Sequence, residues 1–195
     1  MLDPGIGQAL INVARRSLEQ FVRQRERYRP DLGELPTAVS NPGCSFVTLT
    51  NLGKLRGCIG GTEARWPLAE DVARHAAAAA SRDPRFTAVT PDELTNIRLE
   101  VTVLTPPQPL PFADYADLLA QLRPVDGVIL TWGTKRAVLL PQVWRRLPEP
   151  AQFLDVLAQK ANIPAPELRR APPTISVQTF RVQHFAEPGY REPGS

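Results

Sequence analysis

This sequence of 195 residues contains few of the residues that mark metal sites, disulfide frameworks or membrane spans. It has two cysteines and two histidines, which are too few for a structural zinc site, so we expect no metal and no cofactor. No apolar run approaches the ~20 residues that a membrane-spanning helix needs, and the start of the sequence does not resemble a secretory signal. We therefore expect a reduced, cytoplasmic protein, although one disulfide between Cys44 and Cys58 stays open.

The sequence also lacks a strong excess of charge of one sign. Its net charge is +3, from 23 basic and 20 acidic side chains, which is well short of a nucleic-acid-binding composition. Six arginines lie along the first predicted helix, a pattern typical of a solvated helix face. We expect neither nucleic acid nor a membrane as a partner, since a nucleic-acid role would rest on charge alone.

Proline is the one abundant residue, and its 21 copies fall mostly between predicted helices and strands. Helices and hairpins alternate irregularly along the chain, which indicates an α+β fold with an antiparallel sheet and flanking helices rather than a doubly wound parallel sheet. Hydrophobic periodicity and turn residues predict helices at 3–28, 66–80, 115–122 and from 150, strands at 45–50, 55–59, 97–105, 125–132, 136–140 and 174–185, and a proline-rich link at 164–173.

A thiol beside a guanidinium, among three glycines, distinguishes residues 54–61. Side chains alternate along a strand, so Arg56 and Cys58 are predicted to share a face. Gly57 and Gly60 allow positive φ and close backbone approach, and their N–H groups could hold an anion. A nearby cation and N–H dipoles would lower the pKa of Cys58 and favour the reactive thiolate. The alternative is a tightly packed strand with a buried structural cysteine.

Three further positions are candidates for the same site. A loop that breaks the second helix offers Arg85 and Phe86 with Asp83, either to clamp an anion or as an ordinary ion pair at a helix stop. His75 lies on the second helix, either as a proton carrier or as a partly buried structural histidine. Glu100 points away from the apolar face of its strand, either as a base or anchor near the cysteine or as a solvent-facing carboxylate.

Several motifs in order resemble one known family. They are Leu55-Arg56-Gly57-Cys58-Ile59-Gly60, Asp83-Pro84-Arg85-Phe86, the strand with Glu100, Leu139-Leu140-Pro141-Gln142-Val143, Phe153 with Lys160-Ala161, and Phe185-Ala186-Glu187. This order is similar to that of the AMMECR family, whose bacterial and archaeal members are called AmmeMemoRadiSam system protein A. The resemblance implies a single domain over residues 8–187, and we expect a loose tail over 188–195. Two departures are Gly61, where a small hydroxyl residue is expected, and a shorter hairpin at 134–137.

The resemblance implies a fold of two intertwined subdomains, with the cysteine motif near the cleft between them. It also implies a setting in which a Memo-like protein and a radical SAM protein are partners. It does not imply a particular reaction.

Two functions therefore stay open. In the first, the protein is an enzyme in which Cys58 is the nucleophile or thiol acceptor, with Arg56 and the backbone of Gly57 and Gly60 activating it. Arg85 would hold a small anionic substrate, and Glu100 or His75 would move protons. In the second, it is a non-catalytic accessory or binding module for those partners. No Cys-His-Asn triad can be assigned from the sequence.

Overall fold

The computed structural model describes residues 2–171 and 174–193, and the chain divides into two units. The first unit combines Met1–Thr105 with Gln183–Ser195, and the second, Pro106–Val182, is inserted between these two segments. The helices are α1 (Pro4–Gln24), α2 (Leu68–Ala79), α3 (Tyr115–Gln121), α4 (Pro150–Lys160) and α5 (Ala165–Arg170). The strands are β1 (Pro42–Asn51), β2 (Lys54–Gly60), β3 (Trp66–Pro67), β4 (Ile97–Leu104), β5 (Gln108–Pro109), β6 (Gly127–Trp132), β7 (Lys135–Leu139), β8 (Ile175–Phe180) and β9 (Val182–Ala186).

In the first unit, α1 and α2 pack against each other and against one sheet. Asp3 begins α1 as predicted, because its carboxylate accepts a hydrogen bond from the Ile6 N–H and Pro4 has the φ of a first helical residue. The helix ends at Arg25, which is left-handed with φ of 61°, rather than near Tyr28 as the sequence suggested.

The sheet of the first unit has the strand order β2-β1-β4-β9, with β3 paired to the start of β1. Strand β1 is antiparallel to β2, β3 and β4. A turn at residues 51–54 joins β1 to β2, with φ of 50° at Leu52 and 80° at Gly53. The antiparallel α+β architecture predicted from the sequence is therefore confirmed.

The two faces of this sheet differ in chemistry. Val47 and Leu49 of β1 and Leu99 and Val101 of β4 are fully buried in the core with α1 and α2. Because side chains alternate along a strand, their neighbours in sequence point to the opposite face. That face, called here the polar face, carries Thr48, Cys58, Glu100 and Thr102.

Glycines in the cysteine motif allow close packing, not a left-handed backbone. A Cβ on Gly57 would lie 2.1 Å from the carbonyl oxygen of Ala79 at the end of α2, and one on Gly60 would lie 2.2 Å from the Phe46 ring. Among the described glycines, positive φ occurs only at Gly53, Gly133 and Gly189. The expected close approach is confirmed, whereas the expected positive φ in the motif is wrong.

The second unit is built on a sheet of strand order β5-β8-β6-β7, with its own core formed with α3, α4 and α5. The predicted hairpin is present as β6 and β7. Two sequence expectations are wrong here. The segment 164–173, expected to be a proline-rich link, contains α5, and its residues 172–173 are not among the residues that the structure describes. The single strand expected over 174–185 is two strands, β8 and β9, divided at Arg181.

No helix in the described part of the chain combines the length and apolar character needed to cross a membrane.

Candidate functional site

Cys58 lies partly buried on the polar face, in the middle of β2. The Thr48 hydroxyl, directly opposite on β1, donates a hydrogen bond to the Cys58 sulfur at 3.3 Å. Burial raises the pKa of the Cys58 thiol; the Thr48 hydrogen bond and the charge of Arg85 lower it, and the carboxylates of Asp83 and Glu100 raise it. The net direction is upward, so the prediction of a lowered pKa is wrong and the thiol is favoured over the thiolate.

Arg56 does not supply the activating charge that the sequence suggested. The pairing of β1 and β2 shifts register between Leu49 and Thr50, so simple alternation is interrupted beside Arg56. Its guanidinium is held by Glu93, with Nε to Oε1 at 2.6 Å and Nη2 to Oε2 at 3.0 Å. These hydrogen bonds lower the pKa of Glu93 to about 2. The positive charge is therefore used to fix the strand to the turn at 91–93.

The loop after α2 provides the anion that binds the motif's backbone. Oδ2 of the buried Asp83 accepts a hydrogen bond from the Cys58 N–H at 2.8 Å. Arg85 donates to the same carboxylate from Nε at 2.9 Å and from Nη2 at 2.6 Å. These Arg85 hydrogen bonds, first among several causes, hold the pKa of Asp83 well below its usual range. The anion bound to the Cys58 N–H is therefore the Asp83 carboxylate of the protein itself.

Arg85 and Phe86 are thereby brought beside the cysteine, as the clamp hypothesis requires. The Arg85 side chain is 53% exposed, so its guanidinium is accessible although two of its nitrogens already bind Asp83. The Phe86 ring lies between two arginines, with its centroid 5.4 Å from Cζ of Arg85 and 5.9 Å from Cζ of Arg56. Whether Arg85 and Phe86 hold a substrate stays a prediction.

Glu100 occupies the polar face two strands from Cys58, because Thr48 pairs with both residues. Its Oε1 accepts a hydrogen bond from the Thr102 hydroxyl at 3.2 Å and lies 3.3 Å from Nδ1 of His184 on β9. Tyr190 belongs to the same region: burial, and then the charge of Glu100, raise its pKa well above the usual range. The polar face thus carries a thiol, a carboxylate, an imidazole and a phenol.

Sequence reasoning missed His184, Thr48 and Thr102. Alternation of side chains along the strands could have found both threonines. Thr102 lies two residues after Glu100 on β4 and therefore shares its face, and Thr48 lies opposite Cys58 on the neighbouring strand. His184 could not have been found this way, because the sequence does not show that β9 leaves the strand before it and pairs with β4.

His75 is not brought to Cys58. It lies on α2, with Nδ1 3.2 Å from Oδ2 of Asp71 and 3.3 Å from the Ser45 hydroxyl. Ser45 is buried on the side of β1 that faces the helices, whereas Phe46 and Thr48, at alternate positions, face the opposite side. His75 and Cys58 are therefore on opposite faces of the sheet, and the pairing of the two in one reaction loses its geometric support.

The described residues contain no group of three or more histidine, cysteine, aspartate or glutamate side chains placed to hold a metal ion. Cys44 and Cys58 are not joined in a disulfide. The polar face as described can donate and accept hydrogen bonds, offer a neutral thiol, and present the Glu100 carboxylate beside the His184 imidazole.

Comparison with known proteins agrees with the motifs. The AMMECR1 family model matches residues 11–185. A protein from Methanothermobacter thermautotrophicus is 40% identical over 94% of this chain and 95% of its own length, and one from Thermofilum pendens is 33% identical over 93% and 89%. The crystal structure of the uncharacterized protein PH0010 from Pyrococcus horikoshii has a TM-score of 0.84 and 29% identity, covering 98% of this chain and 96% of that one. Since a family model and full-length relatives match in this way, this chain belongs to the AMMECR1 family.

Proposed function

We propose that this protein is a cytoplasmic ligand-binding component that acts with a Memo-like protein and a radical SAM protein. The polar face is its binding surface, and the ligand is a small polar or anionic molecule. The observation that carries the proposal is the row of functional groups across three strands, in which Cys58, Thr48 and Glu100 are directly paired neighbours. The partners themselves are suggested only by the resemblance of the sequence motifs.

Electrostatics favour binding over nucleophilic attack at Cys58. Burial, and to a lesser extent the charges of Asp83 and Glu100, raise its pKa, and Thr48 already donates a hydrogen bond to the sulfur. A thiol in that state is a weak nucleophile, because only the thiolate attacks efficiently. It still contributes an S–H donor and a polarisable sulfur to a bound molecule. Arg85, half exposed beside it, adds a positive charge for an anionic ligand.

An enzyme in which Cys58 reacts is the second candidate, and one observation favours it. His184 and Glu100 form an acid–base pair on the same face, with His184 Nδ1 3.3 Å from Glu100 Oε1. A bound substrate that carries a positive charge beside the sulfur would lower the pKa of the thiol. The pair could then accept the thiol proton through the substrate, and the Thr102 hydroxyl, within hydrogen-bond distance of both members, would hold the pair in place.

Partner binding and thiol chemistry can be tested together. The Cys44→Ser protein is mixed with a purified Memo-like protein or a radical SAM protein, and co-migration on a sizing column is measured alongside the rate at which iodoacetamide alkylates Cys58. We expect a complex in which alkylation slows several-fold, and we expect Glu100→Gln to weaken it. Arg23→Gln, an exposed change on α1, is the matched control and should behave as the parent.

The proposal fails if neither partner co-migrates, or if a complex forms with no change at Cys58 and no effect of Glu100→Gln. A thiol whose alkylation accelerates in the complex would favour the enzyme instead, because acceleration requires a lowered pKa.

A further inference from the structure

A pocket of about 340 Å³ lies in the first unit between residues 61–66 and helix α2. Trp66, Asp71, Arg74 and His75 form much of its wall. It is separate from the polar face, because His75 contacts Ser45 on the helix side of the sheet. What it binds is therefore independent of the function proposed for Cys58.

One wall of this pocket is a histidine held in a fixed orientation. The buried Asp71 carboxylate accepts hydrogen bonds from the Ser45 N–H at 2.8 Å and the Ser45 hydroxyl at 2.7 Å, and the same oxygen lies 3.2 Å from Nδ1 of His75. Nδ1 is therefore engaged by Ser45 and faces Asp71, and Nε2 is the ring nitrogen left for another partner. Within the described chain Nε2 makes no hydrogen bond, and Gly61 leaves space beside it: a Cβ there would be 3.8 Å away.

The second wall is an arginine without acceptors. Cζ of Arg74 lies 3.7 Å from the centroid of the Trp66 ring, so the guanidinium is stacked on the indole. Its Nε is buried with no hydrogen-bond partner, and no other guanidinium nitrogen donates a hydrogen bond to a described residue. The Glu70 carboxylate is 3.7 Å from Nη2, an ion pair too long for a hydrogen bond. A partly buried guanidinium in this state lacks the acceptors that such groups normally have.

Arg74 also shares the carboxylate that lies nearest to it. The same oxygen of Glu70 that faces Arg74 lies 3.9 Å from Nη2 of Arg27, so two arginines share one carboxylate. Burial, and then repulsion from Arg74, lower the pKa of Arg27. At the rim of the pocket Arg65 is paired with Glu63, so that carboxylate is already engaged. Formal charges balance once the Asp71 carboxylate is included, but Arg74 has only a shared carboxylate beyond hydrogen-bond distance, so its outer nitrogens can donate to a further acceptor.

We propose that this pocket binds a small organic oxyanion, a carboxylate or a phosphate monoester, whose planar or apolar body packs beside Trp66. The outer nitrogens of Arg74 donate to the oxyanion, and guanidinium geometry suits either group. His75 Nε2 shares a proton with the same group: it accepts from a protonated ligand oxygen, or donates as imidazolium while Asp71 keeps the Nδ1 proton. The volume accommodates an anion of roughly ten to twenty heavy atoms, the lower end of the usual ligand range.

The presence of only two histidines makes a direct test possible. The protein is labelled with ¹³C at histidine Cε1 and titrated at fixed pH and ionic strength with inorganic phosphate and, separately, with benzoate. We expect a saturable shift of the His75 signal with at least one probe. A shift of His184 would report the separate site proposed on the polar face, and Arg74→Met should leave that shift unchanged. A response to benzoate alone identifies a carboxylate with a planar body; a response to phosphate alone identifies a phosphate ligand.

Variants assign the binding to the wall residues. Arg74→Met should raise the dissociation constant of the probe by roughly tenfold or more, and Arg23→Met on α1 should leave it unchanged. Because loss of Arg74 could affect folding, Gly61→Ala is the second variant: its Cβ makes only ordinary contact at 3.7 Å but covers Nε2, so the fold should persist and binding should weaken. The proposal is overturned if neither probe shifts His75 saturably, or if the His75 shift saturates at the same probe concentration in Arg74→Met as in the parent.

Discussion

Replacing Asp83 with asparagine should lower the pKa of the Cys58 thiol. The Asp83 carboxylate raises that pKa, and its removal also releases the Arg85 guanidinium, whose charge lowers it. Both effects act in the same direction. Solvent screens the charge of Arg85, whose side chain is 53% exposed, so the combined effect is expected to be a several-fold change in thiol reactivity. Asparagine keeps an oxygen that can accept from the Cys58 N–H, so the fold should persist.

The assay is the pH dependence of alkylation by iodoacetamide in a Cys44→Ser background. Below the pKa the thiolate fraction rises tenfold for each unit by which the pKa falls. Asp83→Asn should therefore alkylate several-fold faster than its parent near pH ~7.5, allowing for the lower nucleophilicity of a more acidic thiol. Arg85→Gln is the matched variant with the opposite sign, since it leaves the Asp83 charge uncompensated and should raise the pKa.

Opposite shifts also separate electrostatics from unfolding. An unfolded chain would bring Cys58 toward the ordinary ~8.5 in both variants, so both would shift the same way. Equal pKa values in the parent and both variants, or a higher pKa in Asp83→Asn, would refute the charge assignment around the thiol.

Two further predictions concern stability. Gly57→Ala should lower the free energy of unfolding by roughly 2 kcal/mol or more, because its Cβ would lie 2.1 Å from the Ala79 carbonyl oxygen. Gly61→Ala, whose nearest contact is at 3.7 Å, should stay within about 0.5 kcal/mol of the parent. Equal urea midpoints for the two variants would contradict the packing described. Glu93→Gln should cost roughly 2 kcal/mol near pH ~7, because a partly buried Arg56 loses its charged partner. The pKa of Glu93 is lowered in the folded state to about 2, so the stability that its ion pair contributes is complete above the unfolded value of 4.5 and is lost as pH falls toward 2. The free energies of unfolding of parent and variant, measured by urea titration, should therefore converge over that pH range. A constant difference would show that the ion pair is not responsible.

Local signals in the sequence predicted elements well. The helix predicted from residue 3 does begin there, because the Asp3 carboxylate caps α1 and Pro4 is its first residue. Alternation along residues 97–105 predicts β4 and the outward direction of Glu100. Each of these features depends on residues within one turn or one strand, where chemistry and geometry are linked directly.

Relations between distant residues could not be predicted in this way. Arg56 was expected to act on its strand neighbour Cys58, but it binds Glu93, which is 37 residues away. Cys58 lies in the motif and His75 follows soon after it in sequence. The sheet nevertheless separates them, because helix α2 covers only one face. The division of the last strand at Arg181 depends on which sheet has an open edge for each half, and a single sequence does not contain that information.

The position of β9 has a consequence for the order in which the protein can fold during synthesis. Domains generally fold from the N-terminus as the chain emerges, and all four strands of the second unit's sheet lie within residues 106–182. The first unit begins earlier but cannot finish until the second unit has been made. The Phe185 ring that packs on Gly7, and Glu187, which binds Arg15 of α1 and the Leu99 N–H, both follow the second unit in sequence. The edge of the first sheet at β4 therefore stays unpaired until residues 182–187 have been synthesised. During that interval the edge is open to pairing with another chain, a hazard that ends when β9 arrives.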